Sequence, residues 1–170
     1  MFYFKNTNEG ILLKNLINIR WIAIAGQLSA IVVVYFLLNI HIPLIDCLIV
    51  IIISILINFL SLLNKNQSSY LTEKRAFYYL LYDVIQLALL LFLTGGIYNP
   101  FCLLLIAPVI ISASYLNISY SIILSLFSVI IVFFLNFFFI EMILPINTEF
   151  FKLFINGFVI ALIISIIFIA

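Results

Sequence analysis

Long uninterrupted runs of Ile, Leu, Val and Phe, broken by short polar clusters, dominate the pattern along this chain. Each run holds about 20 residues, enough at ~1.5 Å per residue to cross ~30 Å of hydrocarbon, and the apolar positions cover every side of a helix instead of one stripe. That pattern predicts membrane-spanning helices. Strands of a transmembrane barrel would alternate polar and apolar positions, and these runs do not. Six spans are expected, near 21–38, 43–63, 76–94, 101–116, 120–140 and 150–170. The expected fold is therefore an all-α membrane protein, a six-transmembrane-helix bundle spanning residues 21–170 behind an N-terminal segment, residues 1–20. That segment sets Lys5, Lys14 and Arg20 around Ile11-Leu12-Leu13 and Leu16-Ile17, the pattern of a short helix lying on the membrane surface, with Trp21 at the interface where the first span begins.

Composition agrees with the pattern. At 68% hydrophobic and 8% charged residues, with a mean hydropathy of +1.43, the chain is too apolar for a soluble domain and reads as an integral, multi-pass membrane protein. The net charge of +1 comes without a basic patch, which points away from nucleic acid as a partner. Of the 7 basic residues, all but Lys152 precede the first span or lie between the second and third. The positive-inside rule then puts both termini in the cytoplasm and the link between spans three and four on the outer side. Ala170 still belongs to an apolar run, so a cytoplasmic continuation is expected after it. There is no internal repeat, and the loops are too short to fold as a separate soluble domain.

Polar residues inside the spans carry the candidate chemistry, because each is costly in lipid unless it faces a partner or a cavity. Gln27, Asn58 and Asp83 fall at similar depths in the first three spans, and Tyr79, Asp83 and Gln86 share a helix face. Two readings of Gln27, Asn58, Asp83 and Gln86 stand side by side: a protonatable relay or switch, and interhelical hydrogen bonding. Ala23, Gly26, Gln27 and Ala30 form a small-residue stripe suited to close helix contact. A second polar layer, nearer the outer face, contains Thr94, Tyr98, Asn99, Asn136, Asn156 and Gly157. Asn136 and Asn156 read as bonds across helices, and Pro108 is expected to kink the fourth span and free the carbonyl near Leu104. Cys47 and Cys102 read as small hydrophobes. With His41 as the single histidine in the sequence, no metal site, nucleophile–base pair or catalytic residue is indicated.

The densest turn signal is Gly95-Gly96-Ile97-Tyr98-Asn99-Pro100-Phe101. Two glycines permit positive φ and close approach, and Asn99 before Pro100 favours an extended or turn backbone. The segment turns the chain between two apolar runs, and it also brings an amide, a phenol and a phenyl ring together, the composition of a small aromatic-ligand site.

Four stretches resemble a known family. Arg20-Trp21-Ile22-Ala23-Ile24-Ala25-Gly26-Gln27, Tyr82-Asp83-Val84-Ile85-Gln86-Leu87, Leu93 through Phe101, and Ala107-Pro108-Val109 with Ser112-Ala113 look like the membrane domain of the RegB/PrrB/ActS redox-sensing histidine kinases, in the same order. Gly-Gly-x-x-Asn-Pro-Phe matches that family's quinone-binding heptapeptide. The resemblance implies the sensor domain of a two-component system in the bacterial inner membrane. It also implies ubiquinone as the sensed ligand at Gly95 to Phe101, with Asn99 and backbone amides meeting a quinone carbonyl and an aromatic ring covering the headgroup. A homodimer and a cognate response regulator are the partners implied. The family's kinase chemistry and redox-active cysteine belong to a cytoplasmic region absent from residues 1–170, and neither Cys47 nor Cys102 takes that cysteine's place. A competing expectation from size alone is a six-span substrate-binding subunit of a vitamin transporter.

Overall fold

The computed structural model describes residues 13–37, 40–63 and 71–140, and within them every regular element is helical. Helix α1, Leu13–Val32, runs on through a wider π turn at Val33–Leu37; α2 is Leu44–Leu62 and α3 is Glu73–Leu93. After the turn, two 3₁₀ segments, Gly96–Tyr98 and Pro100–Leu105, lead into α4, Ile106–Tyr115, and α5 follows at Ile118–Phe137. By length and composition, 4 helices could cross a membrane, Leu13–Leu37, Leu44–Leu62, Glu73–Leu93 and Ile118–Phe137, while Phe101–Tyr115 is a shorter apolar helix. The expected sixth span, with Asn156 and Gly157, lies outside the described residues.

Element ends follow local chemistry. Pro43 stands just before α2 and Asp46 lies in its first turn, where a carboxylate complements the helix dipole. Leu116, extended at ψ 164°, ends α4, and the carbonyl of Asn117 restarts the chain as α5 by accepting from the N–H groups of Tyr120 and Ser121.

Three expectations are corrected. Among the described residues the first helix already runs from Leu13, ahead of the expected start near Trp21, and Leu13, Leu16 and Ile17 are buried against the bundle. The fourth span is not one α-helix with a kink at Pro108: it enters as 3₁₀ and becomes α-helical at Ile106. Pro108 thereby falls in the first turn of α4, where its missing N–H leaves no intrahelical bond unmade. The small-residue stripe does not act as one contact face: Ala23 and Gly26 point outward, a Cβ built on Gly26 meeting nothing within 4 Å, while Gln27 and Ala30 are half-buried.

Helix α3 joins the two cores. Leu80, Val84, Leu87 and Leu91, spaced by four, three and four, pack with Leu105, Leu124, Val132 and Leu135. Leu90 turns instead to Ile24, Ile31, Cys47 and Ile51 of α1 and α2. Between α4 and α5 the buried residues include Ser112, Ser121, Ser125 and Ser128. Ser112 and Ser128 donate their hydroxyls to carbonyls of their own helices, at 2.8 and 3.0 Å, so they serve as small side chains that let two backbones approach. Large residues point out of the bundle, among them Ile45, Ile52, Leu60, Ile130, Phe133 and Phe137. An apolar exterior over a core containing serine and amide groups is the arrangement that lipid favours.

Candidate functional site

Two polar clusters interrupt this apolar packing. The first joins α1 to α3. Arg20 Nε donates to Asp83 Oδ1 at 2.7 Å, and Arg20 Nη2 donates to the carbonyl of Tyr79 at 2.9 Å. The guanidinium carbon lies 4.9 Å from the ring centre of Tyr79 and 5.0 Å from that of Tyr82. Cation–π contact on both rings and a charge-assisted hydrogen bond at the edge hold the group in one plane. The tyrosine hydroxyls are anchored on α2, Tyr82 with Ser54 Oγ at 2.9 Å and Tyr79 with Ser61 Oγ at 3.4 Å. Asp83 is 24% exposed and Arg20 only 7%, so water screens the pair little.

Farther along the same two helices, Gln27 and Gln86 form a reciprocal amide pair, with Gln27 Nε2 to Gln86 Oε1 at 3.3 Å and Gln86 Nε2 to Gln27 Oε1 at 2.9 Å. Asn58 stands apart: its Nδ2 donates to the carbonyl of Ile17 at 3.2 Å, and its buried Oδ1 meets no donor among the described residues. The expected single layer of Gln27, Asn58 and Asp83 therefore divides into an ion pair, an amide pair and a lone amide. Arg20 is the residue that reading by depth missed, having been counted only as a flanking basic residue. A usable signal was present: Arg20 and Gln27 lie seven apart on α1 and Asp83 and Gln86 three apart on α3, so each helix offers two polar groups on one face.

The second cluster is the turn after α3. Thr94 closes the helix and Gly95 follows at φ 96°, a left-handed cap. Gly96 is also left-handed, at φ 60°, and a Cβ there would lie 2.6 Å from Phe139 Cβ and 2.8 Å from the carbonyl oxygen of Leu135. Only glycine lets the turn press this closely on the end of α5. Ile140 N–H completes the joint by donating to Phe92 O at 2.9 Å.

Asn99 latches the turn. Its Nδ2 donates to Thr94 Oγ1 at 2.6 Å and to Thr94 O at 3.0 Å, while its Oδ1 accepts from Phe101 N–H at 2.9 Å. Those bonds occupy both amide hydrogens and hold the carboxamide inside, whereas the sequence reading expects Asn99 to meet a ligand carbonyl. Ile97 is core, and Pro100 opens the second 3₁₀ segment. Phe101 and Tyr98 face outward. Phe101 is 40% exposed, and half-buried Tyr98 packs on Phe139 with ring centres 5.4 Å apart. Among the described residues the Tyr98 hydroxyl has no hydrogen-bond partner. Asn136, placed in this layer from sequence, is exposed on α5 and does not join the turn.

Comparison with known proteins gives a consistent direction. The chain is 38% identical over 158 residues to the sensor histidine kinase RegB of Cereibacter sphaeroides, a match covering 92% of this chain and 34% of that protein. The resemblance is to RegB. A second RegB from the same species matches at 38% identity over 80 residues, 47% of this chain and 17% of that one. The chain thus spans about a third of the length of the RegB protein it matches most fully. No protein-family model matches the chain, and no solved structure matches it. The likeness to RegB extends over nearly the whole chain, and the described bundle has the apolar exterior expected of helices in a membrane.

Proposed function

We propose that this chain is the membrane-embedded input domain of a redox-responsive, two-component sensor histidine kinase, and that it reads the ubiquinone pool through the turn at residues 95–101. Similarity to RegB over 92% of the chain, a share that takes in the turn, carries the reading. In the whole protein, autophosphorylation and transfer to a response regulator belong to a cytoplasmic transmitter region, the working unit is a homodimer, and the membrane is the bacterial inner membrane, crossed six times. The relatives found are sensor kinases, which favours this reading over a vitamin-transporter subunit.

The turn's geometry supports a division of roles. Asn99 and the two glycines hold the turn, the Tyr98 hydroxyl donates to a quinone carbonyl, and the Phe101 ring covers the headgroup. Oxidised quinone only accepts hydrogen bonds, so a donating phenol favours it over quinol. Ligand contact at Tyr98 passes to Phe139 and the end of α5 through the ring packing, and differential affinity for the two redox forms is what allows binding to shift helix positions.

Titration with oxidised and with reduced short-chain ubiquinone tests this. Saturable binding that prefers the oxidised form is expected, weakened ~5–10-fold in Tyr98→Phe, which loses one hydrogen bond, and in Phe101→Ala. Asn99→Ala should lower both binding and thermal stability, since it unlatches the turn. Equal affinity for the two forms, or binding indifferent to Tyr98→Phe and Phe101→Ala, would remove the turn from the sensing role.

A further inference from the structure

A cavity of about 550 Å³ opens beside the Arg20–Asp83 pair, between the start of α1, the later half of α2 and the start of α3. Its charged lining consists of Arg20 and Arg75, with Tyr78 at its side and Leu13, Ile57 and Leu71 supplying apolar wall. We propose that this cavity binds the phosphodiester of an anionic phospholipid, with Arg20 and Arg75 on the phosphate oxygens and the apolar wall against the first acyl carbons.

The preference for an anion follows from the partners already made. Arg20 uses Nε on Asp83 and Nη2 on Tyr79 O, while Nη1 has no acceptor among the described residues, so one edge of a rigidly held guanidinium remains. Arg75 is exposed and has no ion pair among the described residues. Asp83 offsets one of the two positive charges, leaving the lining net cationic. Guanidinium groups match phosphate oxygens in geometry as well as charge. The tyrosine rings that flank Arg20 fix its orientation before any ligand arrives, which lowers the ordering cost of binding.

Position selects the ligand class. Lys14, Glu73, Lys74 and Arg75 gather at this end of the described bundle, as expected where helices leave the hydrocarbon for the headgroup layer. A pocket with a cationic edge and an apolar wall at that level suits a molecule with a phosphate above a hydrocarbon chain. This inference does not depend on quinone binding at the turn.

Native mass spectrometry of the 170-residue chain in neutral detergent, with short-chain phosphatidylglycerol, phosphatidylcholine and inorganic phosphate as separate probes, tests it. Saturable binding of one phosphatidylglycerol is expected, with phosphatidylcholine much weaker. Arg75→Gln should lower phosphatidylglycerol affinity ~10-fold, the worth of one charge-assisted contact, and Tyr78→Ala less. Neither variant removes a buried partner, so both should fold. Inorganic phosphate that binds alone, competes with the lipid and shows the same Arg75 dependence would support the anion site and make free phosphate its source. Equal binding of the two lipids, or phosphatidylglycerol binding unchanged in both variants, would overturn the proposal.

Discussion

The Arg20 cluster and the Asn99 turn solve the same problem, polar groups inside an apolar bundle, by opposite means. In the turn, every side-chain hydrogen bond of Asn99 closes within a few residues, onto Thr94 or Phe101. In the seam, Arg20 reaches Asp83 across 63 positions of sequence and Gln27 reaches Gln86 across 59. A local cluster can form as soon as its own loop folds, whereas the distant one exists only when α1 and α3 are already side by side. The turn therefore specifies a loop, and the seam reports and enforces a helix arrangement.

The largest expected effect breaks the seam. Arg20→Ala strands Asp83 in a site with little water and should destabilise the bundle by ~3–5 kcal/mol, read as a drop in thermal midpoint in detergent. Exchanging both partners, as in Arg20→Met with Asp83→Leu, should recover most of that loss. A double variant as unstable as Arg20→Ala would mean that the tyrosine and carbonyl contacts of Arg20, more than its charge pairing, hold α1 to α3.

A smaller loss is expected at the turn. Gly96→Ala forces a Cβ to within 2.6 Å of Phe139 Cβ at positive φ, at a cost of ~1–3 kcal/mol. Gly26→Ala is the control, because nothing lies within 4 Å of its Cβ and the helix gains ~1 kcal/mol of propensity. Thermal unfolding should move in opposite directions for the two. Loss of stability at Gly26 instead would show that the outward stripe packs on a second copy of the chain.

The smallest effect lies in the amide pair. Gln27→Leu or Gln86→Leu alone should cost ~1 kcal/mol or less, and the two together close to nothing, since lipid-embedded hydrogen bonds average ~0.6 kcal/mol and replacing both partners leaves no orphan. A double-variant cycle by thermal unfolding reads the coupling. Coupling much above that size would give the seam a second strong tie besides Arg20.

Most of what was legible in the sequence is local. Apolar runs located the described helices to within a few residues, except at Leu13, where burial against other helices extended α1 through a stretch whose lysine and arginine resembled a surface helix. Gly95-Gly96 and Asn99-Pro100 announced the turn, yet the side chain that faces outward with a donor to spare is Tyr98 and not Asn99. That difference could not be read from residue type, because an amide next to a threonine in a tight turn is satisfied internally only once the backbone has closed. Depth counting placed Gln27, Asn58 and Asp83 in one layer, but depth says nothing about which way each helix is rotated.

The sequence by itself determined a membrane protein built of helices, the positions of its turns and the need for glycine at the tightest of them, because each of these depends on the length of an apolar run or on neighbouring residues. Tertiary structure alone decided that Arg20 pairs with Asp83 between two tyrosine rings, that Gln27 meets Gln86, that Gly96 lies against the end of α5 and that a cationic cavity opens beside the seam. Those facts depend on the rotation and contact of helices distant along the chain, and in lipid that choice is made by close packing and the matching of a few polar groups, not by hydrophobicity, which is nearly the same on every face.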